Sequence, residues 1–306
     1  MTGRNKLFLR ILALVLSAWI ASAGAALHTL YAASVRSGIA PDSPIAGNLY
    51  VVNLSNGTAS LVGAIRLPGS KPIGVTGMAM HPTTGVLYGI TSEQSPNHPR
   101  ALVTIDQASG AASHVGDLGV AGSDIAFDAK GTLYLWLPAT SQLGTVNLSN
   151  AKVEPIGRPG PAGSPAGIAI DPEGMVYVTS KGATGTLDNV DLATGALQVG
   201  PPLTGAPFST QINSMSFSPS GLLLAVNSNG GSPAHTRLVT INTASGVVAT
   251  IGALPDDTDA LAFTGSGPNL APTLSTMSPG GRVVIAVISI VLIVLAGMVL
   301  FKRKQQ

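Results

Sequence analysis

The chain has 306 residues, of which 45 % are hydrophobic, 10 % charged and 4 % aromatic, with 37 Gly, 22 Pro and no Cys. Without cysteine there are no disulfides, thiolate metal centres or cysteine nucleophiles, and the Gly/Pro-rich mix fits short strands and turns rather than a helical bundle. The formal net charge of +2 sits at the ends: seven of the 16 basic residues fall at 4–10 or 282–304, so residues 27–281 hold the other nine basic side chains against all 14 acidic ones and carry no basic footprint for nucleic acid.

Residues 1–25 read as a secretory signal peptide. Arg4, Lys6 and Arg10 give a charged start, Ile11 to Ile20 a short apolar run, and Ala21-Ser22-Ala23 and Ala23-Gly24-Ala25 two small-x-small cleavage sites. The alternative is an uncleaved N-terminal anchor. A chain of this size can bury a core large enough to fold outside the cytoplasm without disulfides.

From residue 28 to 265 two short phrases alternate. One is apolar–small–apolar, a few turn residues, Gly, then an apolar strand: GMAMHPTTGVLYGI from Gly77, DIAFDAKGTLYLW from Asp124, GIAIDPEGMVYVT from Gly167 and SMSFSPSGLLLAV from Ser214. It predicts a hairpin of strands A and B. The other is an apolar strand C, then Asp or Asn, then Ser/Thr/Asn and usually Gly: VVNLSNG, TIDQASG, TVNLSN, NVDLATG and TINTASG. Asn53, Asp106, Asn147, Asp191 and Asn242 are expected to cap C–D turns by accepting from backbone amides two residues on, with Gly supplying positive φ.

Those five positions are spaced by 53, 41, 44 and 51 residues. Four-strand units at this period predict an all-β fold, a β-propeller. The repeat ends on a lone strand A, Ala260 to Thr264, and begins with the other three, near Leu30–Ala33, Asn48–Leu54 and Thr58–Gly63. The two ends should therefore share one composite blade, giving five four-stranded blades and removing the open edges of a linear array.

On these residues the domain resembles secreted bacterial propellers with NHL-like or quinoprotein-like repeats. The resemblance implies the fold; propellers carry many activities, so it implies little about function.

Residues 266–282 form a Gly/Pro/Ser-rich stalk. Val283 to Phe301 is 19 residues without charge, about 28 Å as a helix and enough to cross a bilayer. The basic tail, residues 302–306, contains Lys302, Arg303 and Lys304 and is expected in the cytoplasm, with the propeller outside. Pro272, Thr273, Leu274 and Ser275, followed by an apolar helix and a basic cluster, resemble an IPTL-type exosortase sorting signal. Ala271 replaces the Ile or Val of that pattern, Thr276 to Arg282 separate motif from helix, and the usual Trp after the Ser is absent. The resemblance implies an exosortase-like processing enzyme; the alternative is a plain membrane anchor.

Catalytic patterns are sparse. His28, His81, His98, His114 and His235 show no metal-ligand spacing, and His98 and His235 are expected on solvent-facing loops. Neither a G-x-S-x-G elbow nor a phosphate-binding loop occurs. Asp256, Asp257 and Asp259 are expected to form a solvated turn rather than a calcium loop. Five-bladed glycoside hydrolases place carboxylates at the start of inner strands, and here only Asp124 and Asp259 occupy such positions, on blades that are not adjacent. They are the candidate catalytic residues of an alternative reading, an extracytoplasmic hydrolase or lyase. The favoured reading is a non-enzymatic envelope module, with no cofactor and no metal, that binds a protein or glycan through the long loops 35–47, 92–99 and 227–236. A third reading is a structural component of an envelope assembly.

Overall fold

A computed structural model of the protein describes residues 28–35, 47–70, 72–95, 97–160, 166–180 and 182–264. The signal peptide, the stalk with its Pro-Thr-Leu-Ser motif, the apolar segment 283–301 and the basic tail lie outside the described residues. No helix among the described residues is long and apolar enough to cross a membrane.

The described residues form five four-stranded antiparallel sheets, the blades of a propeller. The first blade joins β1 (Leu30–Ser34), β2 (Asn48–Val52) and β3 (Ala59–Ala64) to the last strand of the repeat. Blade 2 is β4 (Val75–Met80), β5 (Leu87–Thr91), β6 (Ala101–Ile105) and β7 (Ala112–Asp117). Blade 3 is β8 (Ile125–Phe127), β9 (Leu133–Leu137), β10 (Gln142–Val146) and β11 (Val153–Ile156). Blade 4 is β12 (Ile168–Ile170), β13 (Val176–Thr179), β14 (Leu187–Val190) and β15 (Leu197–Gln198). Blade 5 is β16 (Gln211–Phe217), β17 (Leu223–Ser228), β18 (Thr236–Ile241) and β19 (Val248–Leu254), and the chain then adds β20 (Thr258–Phe263) to the first blade.

The composite blade expected from the sequence is present. β20 pairs with β1 in the register Leu30 with Phe263, Ala32 with Leu261 and Ala33 with Ala260. Beyond the strands, Thr29 N donates to Thr264 Oγ1 at 2.8 Å and Thr264 N to Thr29 O at 2.9 Å. The inner strands then run in a ring, β20 beside β4, β4 beside β8, β8 beside β12, β12 beside β16 and β16 beside β20.

Side-chain alternation explains why the inner strands are apolar almost throughout. In β4, Met78 and Met80 turn into the seam with the first blade while Ala79 turns into the seam with blade 3. Successive residues point to opposite faces of a sheet, and a blade has a neighbour on both faces. Among the described residues the hydrophobic core is accordingly five separate clusters, one in each seam.

The C–D turns carry the capping expected of them. Asp106 Oδ1 accepts the amides of Ala108 at 3.2 Å and Ser109 at 2.8 Å, and Asp191 Oδ1 those of Ala193 at 3.0 Å and Thr194 at 2.7 Å. Asn53, Asn147 and Asn242 accept in the same way. The A–B turns use a parallel device. Asp128 and Asp171 accept amides there, and in blade 2 the Nδ1 atom of His81 takes their place, accepting from Thr83 and Thr84 at 3.2 Å each.

C–D turns also wedge against the outer strand of the preceding blade. A Cβ on Gly63 in β3 would lie 2.1 Å from the carbonyl oxygen of Ser109, and one on Gly252 in β19 would lie 1.9 Å from that of Asn56. Neither distance is compatible with a side chain, so these outer strands need glycine for close approach. The second contact closes the ring from blade 5 onto the first blade.

Candidate functional site

The inner strands start at one end of the channel, and the B–C loops emerge at the same end. Together they surround a cavity of about 360 Å³. Its wall includes Thr76, Ser123, Asn213 and Asp259 from the strand starts and Glu93, Ser228 and Gly231 from the loops. The loops singled out in the sequence thus share one face: Val35 borders the first, Ser92, Glu93 and Gln94 come from the second, and Ser228, Gly230, Gly231 and Ala234 from the third. Residues 36–46 of the first loop lie outside the described residues. Below the cavity the channel is filled by apolar groups, among them Met78, Phe127, Met215 and Phe263, leaving only about 30 Å³.

The cavity wall holds three carboxylates, Glu93, Asp257 and Asp259, and no Lys, Arg or His among the described residues. Asp259 accepts a hydrogen bond from the Asn213 side chain. The residue is half-buried and lines the cavity. Burial pushes its pKa up, the Asn213 hydrogen bond opposes the rise, and the neighbouring Asp257 adds to it, for a value of about 7. The acidic cluster is therefore not the solvated turn expected from the sequence. Asp257 is 4 % exposed and accepts the Ala234 amide at 2.8 Å through Oδ1, tying the turn into the cavity wall. Asp256 points elsewhere and pairs with His235 at 2.8 Å.

Asp124 has a different setting. It is fully buried, and Oδ2 accepts the amides of Ile168 and Met215 at 3.0 Å each. Oδ1 accepts the Ser214 hydroxyl at 3.1 Å, and the Ser214 oxygen in turn accepts the Leu261 amide at 3.0 Å. Burial raises the Asp124 pKa well above the ordinary carboxylate value, against the pull of these donors and of the Ile125 amide. The backbone comes as close as this because Gly77 faces Asp124: a Cβ there would lie 2.7 Å from the Asp124 Cα. Asp124 does not border the cavity, so the two sequence candidates do not flank a common space. They are linked indirectly, since Asn213 holds Asp259 and the adjacent Ser214 holds Asp124.

The histidines divide by position. His28 lies where the ends of the repeat meet, its Nδ1 at 3.2 Å from Thr264 O. His81 sits in a turn, and His235 is exposed, as expected from its loop. His98 is also exposed, but it is not isolated: its ring lies 4.4 Å from that of His114. The spacing of 16 residues between them gives no metal-ligand pattern in the sequence; the fold brings them together.

No protein-family model and no curated protein sequence matches the chain. Among solved structures the chain is similar to one described as the crystal structure of a nidogen/laminin complex, with a TM-score of 0.51 and 12 % identity over 79 % of this chain and 100 % of the other. At that identity the likeness carries the fold and not the activity. The match of 516 solved chains makes the same point, since so common a scaffold selects no single function.

Proposed function

We propose that the protein is a non-enzymatic, exported β-propeller with NHL-like or quinoprotein-like repeats, displayed at the cell envelope and binding a protein partner at the loop-bearing mouth of its channel. The observation that carries this reading is the cavity at that mouth. Its volume of about 360 Å³ falls in the range of ligand sites, and its wall offers carboxylates, amides and hydroxyls with no basic side chain among the described residues. A Lys or Arg side chain projecting from a partner would meet Asp259 at the strand starts and, at the rim, Glu93, where it would compete with the Arg100 pairing at 3.1 Å; charge complementarity of this kind selects partners. The similar solved structure belongs to a protein–protein complex, which is in keeping with a scaffold used for interaction. The hydrolase reading has less support because Asp124 is engaged by backbone amides and lies away from the cavity.

Binding of the full chain to a displayed peptide library and to a glycan array tests this reading. Selected peptides should carry Lys or Arg at a fixed position and lose binding to Asp259→Asn combined with Glu93→Gln. Binding that is confined to glycans, or that is indifferent to the double variant, overturns it. We further propose that the C-terminal segment anchors or sorts the propeller. The intact mass of the mature protein separates the two: a species retaining Val283 to Gln306 in the membrane is anchored, and one ending near Ser275 has been sorted.

A further inference from the structure

We propose that His98, His114 and Asp117 on blade 2 form a site for one divalent cation of the zinc type. The ligand atoms of these three residues lie within 4.8 Å of one another. His114 Nε2 is 2.9 Å from Asp117 Oδ1, and the His98 ring lies over that of His114 at 4.4 Å with a tilt of 39°.

The backbone explains the convergence. His114 and Asp117 are three apart on β7, so in a regular strand their side chains would point to opposite faces. The pairing with β6 slips between Leu102 and Val103: Leu102 faces Gly116 but Val103 faces His114, leaving Val115 as an extra residue. A bulge of this kind shifts the alternation by one and re-aims a side chain. It returns Asp117 to the face of His114. His98 arrives from the B–C loop in the left-handed region, with φ of 46°, and its carbonyl accepts the Thr91 hydroxyl at 2.5 Å. Arg100, the cation of this loop, is paired with Glu93 at 3.1 Å.

Two imidazoles and one carboxylate are ligands for zinc at about 2.0–2.2 Å, and in a tetrahedral site the donors stand about 3.3 Å apart. The exposed His98 ring therefore needs to close by about 1–1.5 Å, a side-chain adjustment that rotamer freedom on the surface permits. Three protein ligands leave a fourth position for water or for a group from a partner. Oxygen-seeking ions such as Mg²⁺ do not suit imidazole donors. A bound ion would pin the 92–99 loop to strand β7.

Zinc chloride titrated into tag-free full chain in detergent, with excess Mg²⁺ present, tests the site by calorimetry. The expected result is one ion per chain. His98→Ala, His114→Gln and Asp117→Asn should each weaken binding by about tenfold or more, as loss of one of three ligands requires. His235→Gln removes a histidine of the same His–Asp type, paired with Asp256 at 2.8 Å, and should leave binding unchanged. Unaltered thermal unfolding of the metal-free variants shows that the loss is local. Absence of saturable zinc binding, or equal binding by wild type and the His98 and His114 variants, overturns the proposal.

Discussion

Oδ2 of Asp124 accepts the amide hydrogen of Met215 at 3.0 Å, although Met215 lies 91 residues later and two blades further round the ring. The same carboxylate holds the Ile168 amide and, through Ser214, the Leu261 amide, so β8, β12, β16 and β20 all meet at this one side chain. An inner strand is the edge of its blade, and the amides it turns toward the channel have no neighbouring strand. Asp124 supplies the missing acceptors. Replacing it with Ala strands buried amides and a hydroxyl and should destabilise the fold by roughly 3–5 kcal/mol. Asn keeps the acceptor: its oxygen can take the place of Oδ2, and its amide can donate to Ser214 with that bond reversed in direction, the Ser214 oxygen accepting from it as well as from Leu261. Because burial disfavours the charged carboxylate, Asp124→Asn should lie within about 1 kcal/mol of the natural chain at neutral pH, or above it. Urea unfolding of both variants decides this, and a cost below about 1 kcal/mol for Ala would remove the carboxylate from the account of the fold.

Asp259 makes stability depend on pH, and the sign follows from its raised pKa of about 7. The unfolded chain releases this proton near pH 4. Between roughly pH 4 and 7 the folded chain holds more protons than the unfolded one, so stability falls as pH rises through that window and levels off above it. The carboxylate faces the cavity and is partly solvated, which holds the contribution to about 1–3 kcal/mol. Asp259→Asn keeps an acceptor for Asn213 and removes the titration. Its stability at pH 8 should exceed that of the natural chain, and the difference should shrink toward pH 4. A variant with the same pH profile as the natural chain would show that Asp259 ionises without penalty.

Gly252→Ala tests the seam that closes the ring. The position is not in the left-handed region, so with open space around it alanine would stabilise by about 0.4–1 kcal/mol through the unfolded chain. The Asn56 carbonyl, 1.9 Å from where the Cβ would lie, is backbone in a tight turn and cannot swing aside. The expected change is therefore of opposite sign, a loss of about 1–3 kcal/mol. The sign of the shift in the denaturant midpoint is the readout.

The blades were legible in the sequence because their signals are local. Asp106 caps a turn through residues two and three further on, and Leu30 to Ala33 carries the strand phrase by itself. Even the composite blade follows from which strand is left over at each end. The site depends on contacts between blades, which leave no periodic mark. Asp124 stands at the start of an inner strand, where a catalytic carboxylate would also stand, and only its partners on blades 4 and 5 show that it braces the channel. Asp117 meets His114 only because of the bulge at Val115, which the apolar pattern of β7 does not announce. The close approach at Gly63 and Gly252 likewise depends on the C–D turn of the neighbouring blade, which no local phrase records.

The last strand gives the most direct test of closure. β20 supplies Ala260 and Ala262 to one seam and Leu261 and Phe263 to the next, and it covers the edge of β1. Deleting residues 259–264 removes a strand's hydrogen bonds, apolar contacts in two seams and the Leu261 link to Ser214 at once. Large-to-small changes at single core positions already cost about 2–5 kcal/mol, and this deletion removes several such groups. A domain with typical stability of about 5–15 kcal/mol should lose its cooperative transition. Deleting residues 93–99 instead removes a loop in which Glu93, Gln94, His98 and Pro99 are exposed and Ser95 is buried, and it shortens the β5–β6 connection, with an expected cost of about 1–2 kcal/mol from altered loop closure and strain. Thermal melts of the two deletions should therefore differ in kind, one broad or absent and the other sharp and slightly shifted. Equal midpoint shifts would mean that the ring is not held shut by β20.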